Sequence, residues 1–155
     1  MKVLLPSRRV VRVGAAVTFA AAAVSASVMP AQAATYPVVS YTVSAGATYT
    51  TGTATFYNRS VILNGSDRAE AGECRWTAVY TYDANGHFID QDVSGLGWIC
   101  GNGGPNNTTY TINVGANQAG GAACIEVLLM GGDNIEGTGE WGSVIQENTF
   151  CRPAS

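Results

Sequence analysis

After residue 33 this chain contains no lysine, and its basic residues there are only Arg59, Arg68, Arg75 and Arg152. Against these four stand eleven acids, all in the same stretch, so residues 34–155 carry a net charge of −7. A surface of that sign repels phosphate backbones and anionic lipid heads, which argues against nucleic-acid and membrane partners. Histidine is equally scarce, with His87 the only one. There is no C-x2-C pair, no H-E-x-x-H motif and no G-x-S-x-G elbow. A zinc site or a nucleophile triad therefore has no support in the sequence, and no cofactor is implied. Helix-forming runs are also missing beyond the first 33 residues.

Those first residues have a different character. Lys2, Arg8, Arg9 and Arg12 give a basic start, followed by an Ala/Val-rich run from Val13 to Met29. Pro30 and the small-residue triplet Ala31-Gln32-Ala33 follow. This is the layout of a secretory signal peptide, with cleavage expected after Ala33. Its apolar core is short for a permanent membrane span. Ser7-Arg8-Arg9-Val10-Val11 partly resembles a twin-arginine export signal, although adjacent arginines are common in basic leaders and the general secretory route is the simpler reading. The style of the leader points to a bacterial source. The expectation is an acidic, secreted, extracellular protein, monomeric, with one domain over residues 34–155.

Cys74, Cys100, Cys124 and Cys151 all follow the cleavage point. An even count in an exported chain predicts two disulfides. Sequential pairing, Cys74–Cys100 and Cys124–Cys151, closes two loops of similar size and is favoured. Cys74–Cys124 is the natural alternative if those two strands face each other. No cysteine is then left for thiol catalysis.

Eighteen of the nineteen glycines follow residue 33, and Thr, Val and Tyr are frequent between them. Turn signals recur at Asn64-Gly65, Asn85-Gly86, Asn102-Gly103, Gly120-Gly121 and Gly131-Gly132. Strands are predicted at 36–43, 48–57, 60–64, 75–83, 87–93, 98–100, 109–114, 124–130 and 144–150, with 101–107 as a loop. The segment 75–83 alternates: Trp76, Ala78, Tyr80 and Tyr82 share one side, and Arg75, Thr77, Val79 and Thr81 share the other. Tyr82-Asp83-Ala84-Asn85-Gly86-His87-Phe88 is a tight hairpin by its turn chemistry. The most apolar run, Cys124–Met130, belongs at the centre of a sheet. The fold class is all-β: an antiparallel β-sandwich, Ig-like or similar, of about eight strands.

The candidate binding residues are Trp141 and Glu140 in a Gly/Glu-rich loop, with Tyr82 and His87 at the hairpin. Flat rings such as Trp141 bury the apolar face of a sugar. Trp76 and Trp98 are read instead as core residues beside a disulfide. Asp83, Asn85, Asp90 and Asp92 gather oxygens around the hairpin, but they lack the spacing of a calcium loop and are explained by turn chemistry. Glu126, set among apolar residues, is expected on the strand face opposite Ile125, Val127 and Leu129. Nothing selects a catalytic pair from the eleven acids.

The layout is similar to that of small secreted bacterial β-sandwiches that bind small molecules or inhibit enzymes. The enediyne-antibiotic apoproteins have small disulfide loops, whereas the cysteines here are 26, 24 and 27 positions apart. The α-amylase inhibitors of the tendamistat type carry a Trp-Arg-Tyr turn, where this chain has Arg75-Trp76-Thr77 in a strand. Neither similarity carries over a site. The leading expectation is a non-catalytic binding module for a carbohydrate, small molecule or protein. The alternatives are an inhibitor of a secreted hydrolase, acting through a rigid loop such as 101–107, and a small glycan-active enzyme using paired carboxylates.

Overall fold

The computed structural model describes residues 35–95, 97–132 and 142–153. No helix occurs among them. Nine strands follow one another: β1 (Val38–Ala45), β2 (Thr48–Phe56), β3 (Ser60–Ala69), β4 (Cys74–Tyr82), β5 (Phe88–Val93), β6 (Ile99–Cys100), β7 (Asn106–Gly115), β8 (Cys124–Gly132) and β9 (Ser143–Cys151). They form two antiparallel sheets. The first has the order β1-β2-β3-β7, and the second the order β5-β4-β8-β9. The short β6 pairs with the lower end of β4, in line with β5 along the same edge.

The sheets pack face to face as a β-sandwich. Strand alternation supplies the apolar layer between them. Tyr41, Val43, Ala54, Phe56, Val61, Leu63, Ile112 and Val114 point inward from the first sheet, and Val79, Ile125, Val127 and Leu129 from the second. Each large side chain fully buried in this layer stabilises the fold by roughly 1.5–3 kcal/mol. At one side of the sandwich, Phe150 of β9 meets Tyr41 of β1 edge-on, with centroids 6.0 Å apart. At the other, Asp90 of β5 crowds Gly115 of β7 so closely that a β-carbon there would collide with its carboxylate.

β8 lies inside its sheet, between β4 and β9, as its apolar run requires. The hairpin at 82–88 forms as its residues dictate. Asp83 Oδ1 accepts hydrogen bonds from the backbone N–H groups of Asn85 (2.7 Å) and His87 (2.8 Å), and Gly86 takes a left-handed φ of 81°. The disulfides are Cys74–Cys100, joining β4 to β6, and Cys124–Cys151, joining β8 to β9. Each links directly opposed residues of neighbouring strands, with Cα atoms 4.1 and 4.0 Å apart. Cys124 faces Tyr82, at the far end of β4 from Cys74, so a Cys74–Cys124 bond is out of reach.

Three local expectations are corrected. Asn64-Gly65 is not a turn but the middle of β3, which runs on to Ala69. There Tyr41, Gly52, Gly65 and Tyr110 form one row across four strands. The two tyrosine hydroxyls meet over the glycines, 2.8 Å apart. A β-carbon on Gly65 would strike both hydroxyls, so glycine is required by close approach rather than by a turn. Gly131-Gly132 likewise continues β8 instead of ending it, and a β-carbon on Gly131 would collide with Ile145 of β9. Finally, Asn106 and Asn107 belong to β7 rather than to the preceding loop, because they pair with Ala69 and Arg68 of the lengthened β3.

Candidate functional site

β4 is the central element of the site. Its odd-numbered residues Thr77, Val79 and Thr81 face the interior, where they are fully buried. Its even-numbered residues Trp76, Ala78, Tyr80 and Tyr82 therefore face outward. Three rows then cross the outer face of the second sheet: Val93–Ala78–Leu128–Glu147, Gln91–Tyr80–Glu126–Thr149 and Phe88–Tyr82–Cys124–Cys151. Trp76 is buried, but in a cluster of its own with Ala78, Leu128 and Met130, outside the inter-sheet layer. Trp98 covers it, with ring centroids 5.7 Å apart, and lies against the bare backbone of Gly142.

A groove of about 290 Å³ runs along this face, lined by Trp76, Ala78, Tyr80, Gln91, Val93 and Met130. Phe88 stands at its hairpin end and is 56% exposed. Its ring meets those of Tyr80 and Tyr82 edge-on, at 6.0 and 6.3 Å. Five aromatic residues thus share one side of one sheet. A polar pair sits among them: the Tyr82 hydroxyl donates to Glu126 Oε2 at 2.7 Å. Partial burial, reinforced by that carboxylate, pushes the Tyr82 phenol up to about 12. A larger hollow, about 500 Å³, lies beside Cys124–Cys151 and is lined by Pro37, Ala84, Ala123 and Arg152. Among the described residues no aromatic ring lines it.

Among the described residues, the aromatic face carries two carboxylates. Glu126 and Glu147 lie on it as diagonal neighbours on β8 and β9. Every arginine after residue 33 is engaged elsewhere. Arg59 donates to Asn117 Oδ1, Arg68 pairs with Glu70, Arg75 pairs with Glu73, and Arg152 donates to the carbonyl of Gly120.

Of the residues singled out from sequence, Tyr82 belongs to this face. His87 sits at the exposed turn, its Nδ1 3.1 Å from Asp83 Oδ2. Trp141 and Glu140 lie outside the described residues. Glu126 takes the face opposite Ile125, Val127 and Leu129 and is half-buried. The acids around the hairpin are occupied locally: Asp83 by the turn's backbone, and Asp90 and Asp92 by the N–H groups of Gln91 and Val93. The backbone N–H of His87 is the main cause holding the Asp83 carboxyl below its ordinary range. Among the described residues no three acids, histidines or cysteines gather as a metal site would require.

Sequence reasoning missed Phe88 and Glu147 as neighbours of Tyr82, and Gln91 as the partner of Tyr80. Their signal was available only through strand pairing, which places residues far apart in the chain on one row. It also missed Asp67, which is 2% exposed between the sheets. Asp67 Oδ1 accepts from Thr77 at 2.5 Å, Thr77 lies 2.7 Å from Thr50, Thr50 lies 2.5 Å from the Tyr110 hydroxyl, and Tyr110 meets Tyr41. Burial raises the Asp67 carboxyl to about 6, against the partial relief of its threonine hydrogen bonds. The signal here was positional, since Asp67 falls in step with the inward residues Val61 and Leu63.

The loop between β6 and β7 is firmly based. Gly101 is clamped between Gly72 and Glu73 by two backbone hydrogen bonds of 2.8 and 2.9 Å, and Asn106 caps the carbonyl of Cys100 at 3.1 Å. Asn102, Gly103 and Pro105 are exposed beyond this base.

No protein-family model matches the chain, and no curated protein or solved structure matches it either.

Proposed function

We propose that this protein is an exported, non-catalytic binding module and that the outer face of its second sheet is the ligand face. The observation that carries the reading is the groove bordered by Trp76, Tyr80 and exposed Phe88, with the Tyr82–Glu126 pair beside it. An aromatic surface left outward on a stable sheet is costly to maintain in water unless something covers it. Rings supply flat apolar contact, and a few fixed polar groups supply orientation. The two disulfides support an extracellular setting. The two acids with displaced pKa values do not make a catalytic pair on this face. Asp67 is buried between the sheets, and Asp83 is bound by its own turn.

The test is a glycan array and a pull-down from culture fluid with the mature protein, alongside Tyr80→Ala and Phe88→Ala variants. Retention of a ligand by the wild type, lost in both variants while their melting stays cooperative, is the expected result. Binding that ignores both substitutions removes the outer face from consideration.

A second reading, inhibition of a secreted hydrolase, draws on the anchored loop at 101–105. A rigid projecting loop loses little freedom on docking. It predicts protease or amylase inhibition that Asn102→Ala and Pro105→Ala weaken and Phe88→Ala leaves unchanged.

A further inference from the structure

We propose that the ligand of the outer face is a cationic glycan, one whose pyranose rings carry free amino groups; this rests on the reading of that face as the binding surface. The rings of Tyr80 and Phe88 offer the flat apolar contact that a pyranose takes. Glu126 and Glu147 bring two carboxylates to the same face, and both act on Tyr82 electrostatically. Among the described residues no arginine opposes them. The four arginines after residue 33 are each bound to another part of the protein, and the chain has no other lysine or arginine beyond its leader.

That balance selects among sugars. A sulfated or uronic-acid glycan meets like charge with no counter-ion on the protein, so it is rejected. A neutral glycan stacked over the groove strips water from Glu126 without replacing it by opposite charge, which costs binding energy. An amino-bearing glycan compensates the carboxylates on desolvation, and its ammonium also favours the faces of the surrounding rings. Tyr82 already donates to Oε2 of Glu126 and fixes the carboxylate in place, leaving Oε1 to accept from an incoming N–H.

The experiment is calorimetric titration of the mature protein with three oligomers of equal length: glucosamine, N-acetylglucosamine and glucose. It is run at about pH 5.5, where the sugar amines are protonated. The glucosamine oligomer is expected to bind about tenfold more tightly than either neutral one, and Glu126→Gln to abolish that advantage. Glu147→Gln is expected to reduce it, and Phe88→Ala to weaken all three. Glu70→Gln removes an equal charge away from this face and is expected to change nothing. Equal or better binding of a neutral oligomer overturns the cationic preference and leaves the ligand face standing. Equal loss in the Glu70 and Glu126 variants overturns it as well, because the attraction is then one of overall charge. Failure of all three oligomers overturns it too. If Phe88→Ala also leaves retention of every array or culture-fluid ligand intact, the ligand face itself falls.

Discussion

Thr77 on β4 places its hydroxyl 2.5 Å from Oδ1 of Asp67 on β3, across the layer between the two sheets. This contact ends a chain of hydroxyls that starts at Tyr41. Thr77 donates toward both Asp67 and Thr50, and the hydroxyls of Thr50, Tyr110 and Tyr41 follow one another behind it. The network lets a carboxyl lie inside the sandwich, but no cation joins it among the described residues.

The pH dependence of stability follows from that burial. Asp67 has a folded pKa of about 6 against an ordinary value of 3.8. The folded state therefore binds its proton more tightly than the unfolded chain does. The contribution of Asp67 is fully present below about pH 4 and is lost as pH rises through about 6, with a span on the order of 3 kcal/mol. Denaturant midpoints are expected to show wild type gaining on Asp67→Asn as the pH falls from neutral toward 4. Parallel pH profiles for the two proteins would show that the carboxyl is solvated.

Gly65→Ala is expected to cost about 2–3 kcal/mol, because a methyl group there meets two tyrosine hydroxyls and the carbonyl of Thr51 on a neighbouring strand. Gly86→Ala, which pays only for a left-handed backbone with open space around it, costs about 1–2 kcal/mol. Urea unfolding of both variants gives the comparison. An equal cost would mean the tyrosines move aside.

Replacing both members of either disulfide by alanine is expected to cost about 3–4 kcal/mol, since the two bonds close loops of similar length, 26 and 27 residues. Peptide mapping without reduction is expected to recover Cys74 with Cys100 and Cys124 with Cys151. Any fragment joining Cys74 to Cys124 contradicts the strand register.

Protein recovered from the medium is expected to begin at Ala34, read by terminal sequencing. A mature form that keeps Arg8 and Arg9 would contradict removal of the leader.

What the sequence revealed was what its local chemistry decides. Asp83, Asn85 and Gly86 specify a turn among themselves, so the hairpin and its boundaries were legible. The apolar run Cys124–Met130 specified a central strand. The side of β4 that faces inward was not legible. Its interior positions include Thr77 and Thr81, whose partners Asp67, Thr50 and Gly115 lie in other strands. Hydrophobicity alone points the aromatic side inward, whereas the structure turns it out and places Thr77, Val79 and Thr81 inside, the first within a hydroxyl network. Gly65 misled for the same reason, because its neighbour Tyr110 lies far along the chain. The groove was hidden as well: it exists only once strand pairing sets Val93 beside Ala78 and Gln91 beside Tyr80.

The crowding of Asp90 against Gly115 bears on how these molecules behave at high concentration. β5 is the rim of its sheet, and a bare rim is a template on which other chains polymerise. A newcomer pairing there would have to enclose the charge of Asp90, which already fills the space beside β7. The sandwich thereby carries its own guard against fibre growth along that side.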